Sequence, residues 1–127
     1  MSTEPAALQT LTADLIAAYF AVFRALRHHH RYDVPNYVDA LHREVLRHGQ
    51  AVRTPTGMTP FNLIIAEQAG LTVVKTRRLS ANHIAPVQLG LSAAGLSLGF
   101  VVTFGTATPE FRRCTGVRSA ATGPADK

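Results

Sequence analysis

A single cysteine, Cys114, leaves this chain without an internal disulfide. One thiol is compatible with a reducing compartment, and a cytoplasmic location is the expectation. Long apolar runs are also scarce. None approaches the roughly 20 residues of a membrane-spanning helix, so no membrane association is expected. The opening Met-Ser-Thr-Glu-Pro has no basic segment ahead of an apolar one, hence no secretory-signal pattern. There are no internal repeats. Acids are few: 8 Asp and Glu against 13 Lys and Arg give a formal charge of +5. That balance permits contact with a polyanion, but the cations are scattered along the chain rather than gathered in one run.

What is present is the composition of a globular protein, 46% hydrophobic and 17% charged over 127 residues, enough for one core. Residues 1–10 read as a loose leader, 11–113 as a single domain and 114–127 as a flexible tail without periodicity. Leu11, Leu15, Ala18, Tyr19, Val22, Phe23 and Leu26 recur at three- and four-residue steps and predict a helix ending near Arg27 or His28. His28, His29 and His30 follow. Adjacent histidines cannot share one metal from a helix face, so they read as a solvated run. A second helix starts at Asp33, with Pro35 in its first turn, and ends at Gly49. Its stripe is Val34, Tyr37, Val38, Leu41, Val45 and Leu46. Glu44 lies two turns beyond Tyr37, on the inward side or at its edge.

The centre of the sequence is Met58 to Lys75. Leu63–Ile65 and Leu71–Val74 read as two strands covered on both faces, joined by a turn at Gln68-Ala69-Gly70. Gln50–Thr54 reads as a strand before them. A helix is expected across Ala85–Ala94, capped by Ser80 or Asn82 and stopped by Gly95. Leu98–Phe104 closes the domain as a buried central strand. The fold class is α/β, a small mixed sheet flanked by helices in the order αα-βββ-α-β.

In that order of elements, from about Leu11 to Gly105, the chain resembles the GxxExxY protein family, a branch of the PD-(D/E)XK nuclease-like fold. The naming motif falls on Arg31, Val34 and Tyr37, of which the Tyr is retained. Ala40-Leu41, Glu44 followed by Val45, and Gly49 match the pattern downstream. The strand pair, which carries Asp and then Glu-x-Lys in the family, reads Asn62, Val73 and Lys75. Gln88 matches a helix Gln, and Thr103-Phe104-Gly105 stands where the family has Asn-Phe-Gly. The resemblance implies a remnant active site of Glu44, Asn62, Val73, Lys75 and Gln88.

A nuclease of this fold needs clustered carboxylates around a divalent cation. Mg²⁺ takes hard oxygen ligands; Asn62 offers a neutral carbonyl and Val73 offers none. The expectation is therefore a degenerate enzyme with no catalytic residue, no metal site and no cofactor. Its leading function is a self-assembling structural or scaffold protein, a homo-oligomer or a larger assembly. The second reading is a nucleic-acid binder that has lost cleavage, using Arg43, Arg47, Lys75, Arg77 and Arg78. The third is an Mg²⁺-dependent nuclease with its acids moved to Glu44 and Glu67 beside Asn62. An ion pair of Glu44 with Lys75 is a structural alternative for those two residues.

Overall fold

A computed structural model describes residues 6–26, 33–106 and 108–116. The Arg31 motif position, the His28–His30 run and most of the tail lie outside the described residues. The order is α1 (Ala6–Leu26), α2 (Val34–Arg47), β1 (Val52–Arg53), β2 (Leu63–Ile65), β3 (Ala69–Val74), α3 (Ala81–Ala94), β4 (Leu98–Thr103) and β5 (Glu110–Cys114). The chain is thus mixed α/β, with helices on both faces of an open five-stranded sheet ordered β1-β2-β3-β4-β5. β3 and β4 are parallel and joined through α3; the other neighbours are antiparallel.

Strand alternation separates two cores. Leu63, Ile65, Ala69, Leu71, Val73, Leu98, Phe100 and Val102 face α1 and α2. Ile64 and Val101 pack with Phe61, Leu79, Val87 and Leu91 on the α3 side. β3 and β4 are therefore apolar apart from Thr72 and Thr103, because both their faces are covered. On the α1 side Tyr19, Phe20, Phe23, Tyr37, Phe100, Phe104 and Phe111 form a connected aromatic cluster. Tyr37 stacks on Phe104 at 4.2 Å, which gives the retained motif Tyr a packing role.

Five features depart from the expectations. First, α1 begins at Ala6, inside the stretch read as a leader. By length and composition it is apolar enough to cross a membrane. Asp14 and Arg24 are its only charged residues, and Ala, Leu, Ile, Val and Phe make up most of the rest. Core helices of globular folds pass the same test, and here Leu11, Leu15, Ala18, Tyr19, Val22 and Phe23 are buried in the core.

Second, the hairpin turns at Ala66-Glu67, both with positive φ (55° and 54°), and Gln68 N–H closes on Ile65 O at 3.0 Å. Gly70 instead sits within β3, where an added Cβ would lie 2.4 Å from the Phe61 ring. Its glycine is required by that close approach, not by a turn. Third, α3 starts four residues earlier than expected, with Ser80 as N-cap and Pro86 inside the helix. Fourth, the strand expected over Gln50–Thr54 contracts to Val52–Arg53. Fifth, β5 adds an edge strand, so the order is αα-βββ-α-ββ. Cys114, assigned to the tail from sequence, is the last residue of β5 and pairs with Gly99.

The turn yields a prediction. Left-handed backbone at a non-glycine residue costs roughly 1 kcal/mol or more. Positive φ at both central positions is the geometry that Asn-Gly adopts readily. Ala66→Asn combined with Glu67→Gly is expected to raise stability by about 1 kcal/mol in urea denaturation, after losing an exposed ion pair of small value.

Candidate functional site

The positions of the resemblance do not converge. Asn62 precedes β2 and extends its ladder: its N–H donates to Leu71 O at 2.8 Å, and its Oδ1 accepts Val73 N–H at 2.7 Å. The oxygen that a metal would need is thus committed to backbone. The Val73 side chain is 5% exposed within the α1/α2 core. Lys75 leaves the same end of β3, with Nζ 3.8 Å from Asp33 Oδ1 at the start of α2. Glu44 lies in the last turns of α2, about 16 Å further along the axis at ~1.5 Å per residue. There it meets Arg47 and His48, each at 3.5 Å. The Glu44–Lys75 ion pair considered from sequence is therefore replaced by Lys75–Asp33 and Glu44–His48. His48 also reaches Asp14 of α1 at 3.8 Å, and Asp14 accepts from Gln50 Nε2 at 2.7 Å.

Glu67 is at the hairpin tip, the other end of β2 from Asn62. Arg53 holds it in a two-bonded pair at 2.5 and 3.0 Å. These hydrogen bonds keep the Glu67 carboxyl below its usual pKa and push the Arg53 guanidinium up. Gln88 lies on α3, across the sheet from Glu44 and Val73. The donor set of the implied Mg²⁺ site thus spans both ends and both faces of the sheet, and these residues do not fit that ion. Among the described residues no group of three His, Cys, Asp or Glu is placed to hold a metal.

The basic residues divide similarly. Arg43 pairs with Asp39 and Arg47 with Glu44, both along α2. Arg77 and Arg78 are exposed in the β3–α3 connection. They line an open polar cleft of about 530 Å³ with Gly105, Thr106, Thr108 and Glu110.

Beneath that cleft is a network no sequence pattern indicated. The buried Thr103 Oγ1 donates to Thr76 O at 2.7 Å and accepts from Thr76 N–H and Gly105 N–H, each at 3.1 Å. Gly105 is a glycine because a Cβ there would lie 2.5 Å from Thr76 O. Tyr19 Oη donates to Thr103 O at 2.5 Å and accepts from Glu110 N–H at 2.9 Å. Glu110 Oε2 in turn accepts Leu79 N–H at 3.3 Å. The connections after β3 and after β4 are thereby tied to each other and to α1.

Burial pushes the Tyr19 phenol up to about 12, because the anion would lose its hydration. The folded state then holds a proton that the unfolded state releases near pH 10, so stability falls as pH rises from about 10 to 12. Tyr19→Phe is expected to lower stability by about 1–3 kcal/mol at neutral pH and to flatten that alkaline decline. Urea titrations of both proteins from pH 8 to about 12 check this. Cys114 behaves otherwise than its neighbours Arg112 and Arg113 imply: burial beside the α3-side core raises its thiol pKa.

The remaining surface feature is α3 itself. From Leu79 to Pro109 the chain has no Asp, Glu, Lys or Arg. Val87 and Leu91 face the sheet, while Ala81, Ala85, Pro86, Leu89, Ala93 and Ala94 are exposed. Leu89 is 63% exposed. Gly90 admits Pro60 of the chain's own loop: a Cβ there would lie 2.7 Å from the Pro60 ring.

Comparison with known proteins returned no matching family model, no matching curated protein and no matching solved structure.

Proposed function

We propose that this protein is a non-catalytic scaffold that self-associates through the outer face of α3. The observation that carries the proposal is the charge-free exterior of that helix. A helix at a protein surface ordinarily turns charged residues to water; α3 turns out Asn82, Ser92, alanines and Leu89, and no charge. Depletion of charge is also the compositional mark of interface cores. The occupant we assign is a second copy. Each chain carries +5, so copies approach most easily where neither presents charge. A two-fold axis sets the face against itself, with alanines allowing close helix approach around Leu89.

The scaffold is read as a retired nuclease-like fold of the PD-(D/E)XK type, akin to the GxxExxY family. The element order up to β4 supports this, as do the retained Tyr37, Glu44 and Lys75. Dispersal of the old acid positions supports loss of chemistry. The nucleic-acid reading keeps less support, because Arg43, Arg47 and Lys75 all stand beside carboxylates. No observation favours the rearranged nuclease.

Leu89→Glu tests the assignment, since the site is exposed and the monomer fold should tolerate the change. Sedimentation velocity is expected to give an oligomer for wild type and a 13.7 kDa monomer for the variant, with an unchanged circular dichroism spectrum. Oligomers of equal size from both proteins would contradict the assignment to α3.

A further inference from the structure

We infer that the cleft between the β3–α3 and β4–β5 connections binds the phosphate group of a small phosphorylated ligand. This does not depend on self-association, because the cleft and the exposed face of α3 use different residues. The cleft opens at the carboxyl ends of β3 and β4, the parallel pair. Its lining is polar: Arg77, Arg78, Thr106, Thr108, Glu110 and the backbone of Gly105. Neither guanidinium has a carboxylate within ion-pair distance among the described residues, whereas Arg43, Arg47, Arg53 and Lys75 each do. Two such forks beside the Thr108 hydroxyl match the oxygens of a phosphate, which Arg binds through paired charge-assisted hydrogen bonds, while the Thr106 hydroxyl already donates to Thr108 O.

The frame is preformed. Thr103 fixes Thr76 and Gly105, one on each side of the cleft. Glu110 is the one acid in the lining. Its Oε2 accepts Leu79 N–H at 3.3 Å, which directs that oxygen toward backbone and offsets part of its repulsion of an anion. Two cations against one acid leave the cleft net positive. A nucleic-acid backbone needs a track of cations, and Arg43 and Arg47 do not extend this one, being on α2 and paired there.

Amide NMR with calorimetry tests the inference, using inorganic phosphate, pyrophosphate and a short DNA duplex in separate titrations. The expected result is saturable binding of phosphate and pyrophosphate, with shifts confined to Thr76–Leu79 and Thr103–Glu110. Arg77→Gln with Arg78→Gln should weaken binding roughly tenfold or more at an unchanged melting temperature. Glu110→Gln should strengthen it by removing the acid. Absence of saturation at millimolar phosphate and pyrophosphate overturns the inference, as does binding that the double variant leaves intact. Binding of DNA alone, with a steep salt dependence, assigns the two arginines to a polymer and overturns the small-ligand reading.

Discussion

Val73→Glu, which restores an acid at the position where the resemblance expects one, should nearly unfold the protein. The side chain is buried among α1, α2 and β4 residues, with no described cation placed to receive a carboxylate. Lys75, two residues on, points to the same side but is beyond the strand end beside Asp33. A carboxyl in that core must stay protonated or draw in water, and the loss is expected to be about 4 kcal/mol or more. Total stabilities of such domains run from about 5 to 15 kcal/mol, so most of the reserve is at stake. Asn62→Asp is the contrasting case. Its carboxylate can keep the hydrogen bond from Val73 N–H, and the change should stay within about 0.5 kcal/mol. Urea midpoints with and without Mg²⁺ measure both. Stabilisation of Val73→Glu by Mg²⁺ would mean that these positions do assemble a metal site, contrary to their dispersal across the sheet.

Thr103→Val should cost about 2–5 kcal/mol, although it exchanges side chains of nearly equal volume. One hydroxyl serves Thr76 N–H, Thr76 O and Gly105 N–H, all drawn together at the ends of β3 and β4. Valine leaves these three half-buried backbone groups without that partner. The effect should extend beyond stability, because the same bonds set the cleft that Arg77 and Arg78 line. Thr103→Ser is the control: it keeps the hydroxyl and should recover most of the loss. Thermal unfolding of the three proteins distinguishes a hydrogen-bond role from simple packing, for which Ser would be the worse substitute.

Much of the fold was legible because it rests on local rules. The α2 stripe and Pro35 placed that helix, and Asn36 Oδ1 accepting Asp33 N–H at 3.0 Å bears out its start. Gly95, at φ 70°, ends α3 where a left-handed cap was expected. The apolar runs of β3 and β4 marked strands covered on both faces. The errors have separate causes. Gly70 looked like a turn residue but is small to admit the Phe61 ring. α3 begins at Ala81 rather than Ala85 because the Ser80–His83 capping box starts it and the helix continues through Pro86. β5 was hidden because Phe111 is flanked by polar and charged residues, as suits an exposed edge strand.

The candidate site was less legible, because its contacts are made by folding. Tyr19 meets Thr103 across 84 positions and Glu110 across 91. No spacing rule reaches that far. Arg77 and Arg78 were singled out from sequence, but as part of a cationic set including Arg43, Arg47 and Lys75 that the fold disperses. Asn62, Val73 and Lys75 were rightly taken as neighbours along a strand pair, and the structure keeps them at one end of the sheet. Glu44 and Gln88 came from the same motif reading, and Glu67 from the rearranged-acid alternative; all three are placed elsewhere.

Molar mass by light scattering across a dilution series tests the central claim most directly, run at low and high salt, with and without duplex DNA and Mg²⁺. Self-association through an uncharged face predicts an oligomer that dissociates only on dilution and is indifferent to DNA and Mg²⁺. High salt should leave its mass unchanged or raise it, by screening repulsion between cationic copies. A monomer at every concentration, or a species that grows only with DNA at low salt, would contradict it.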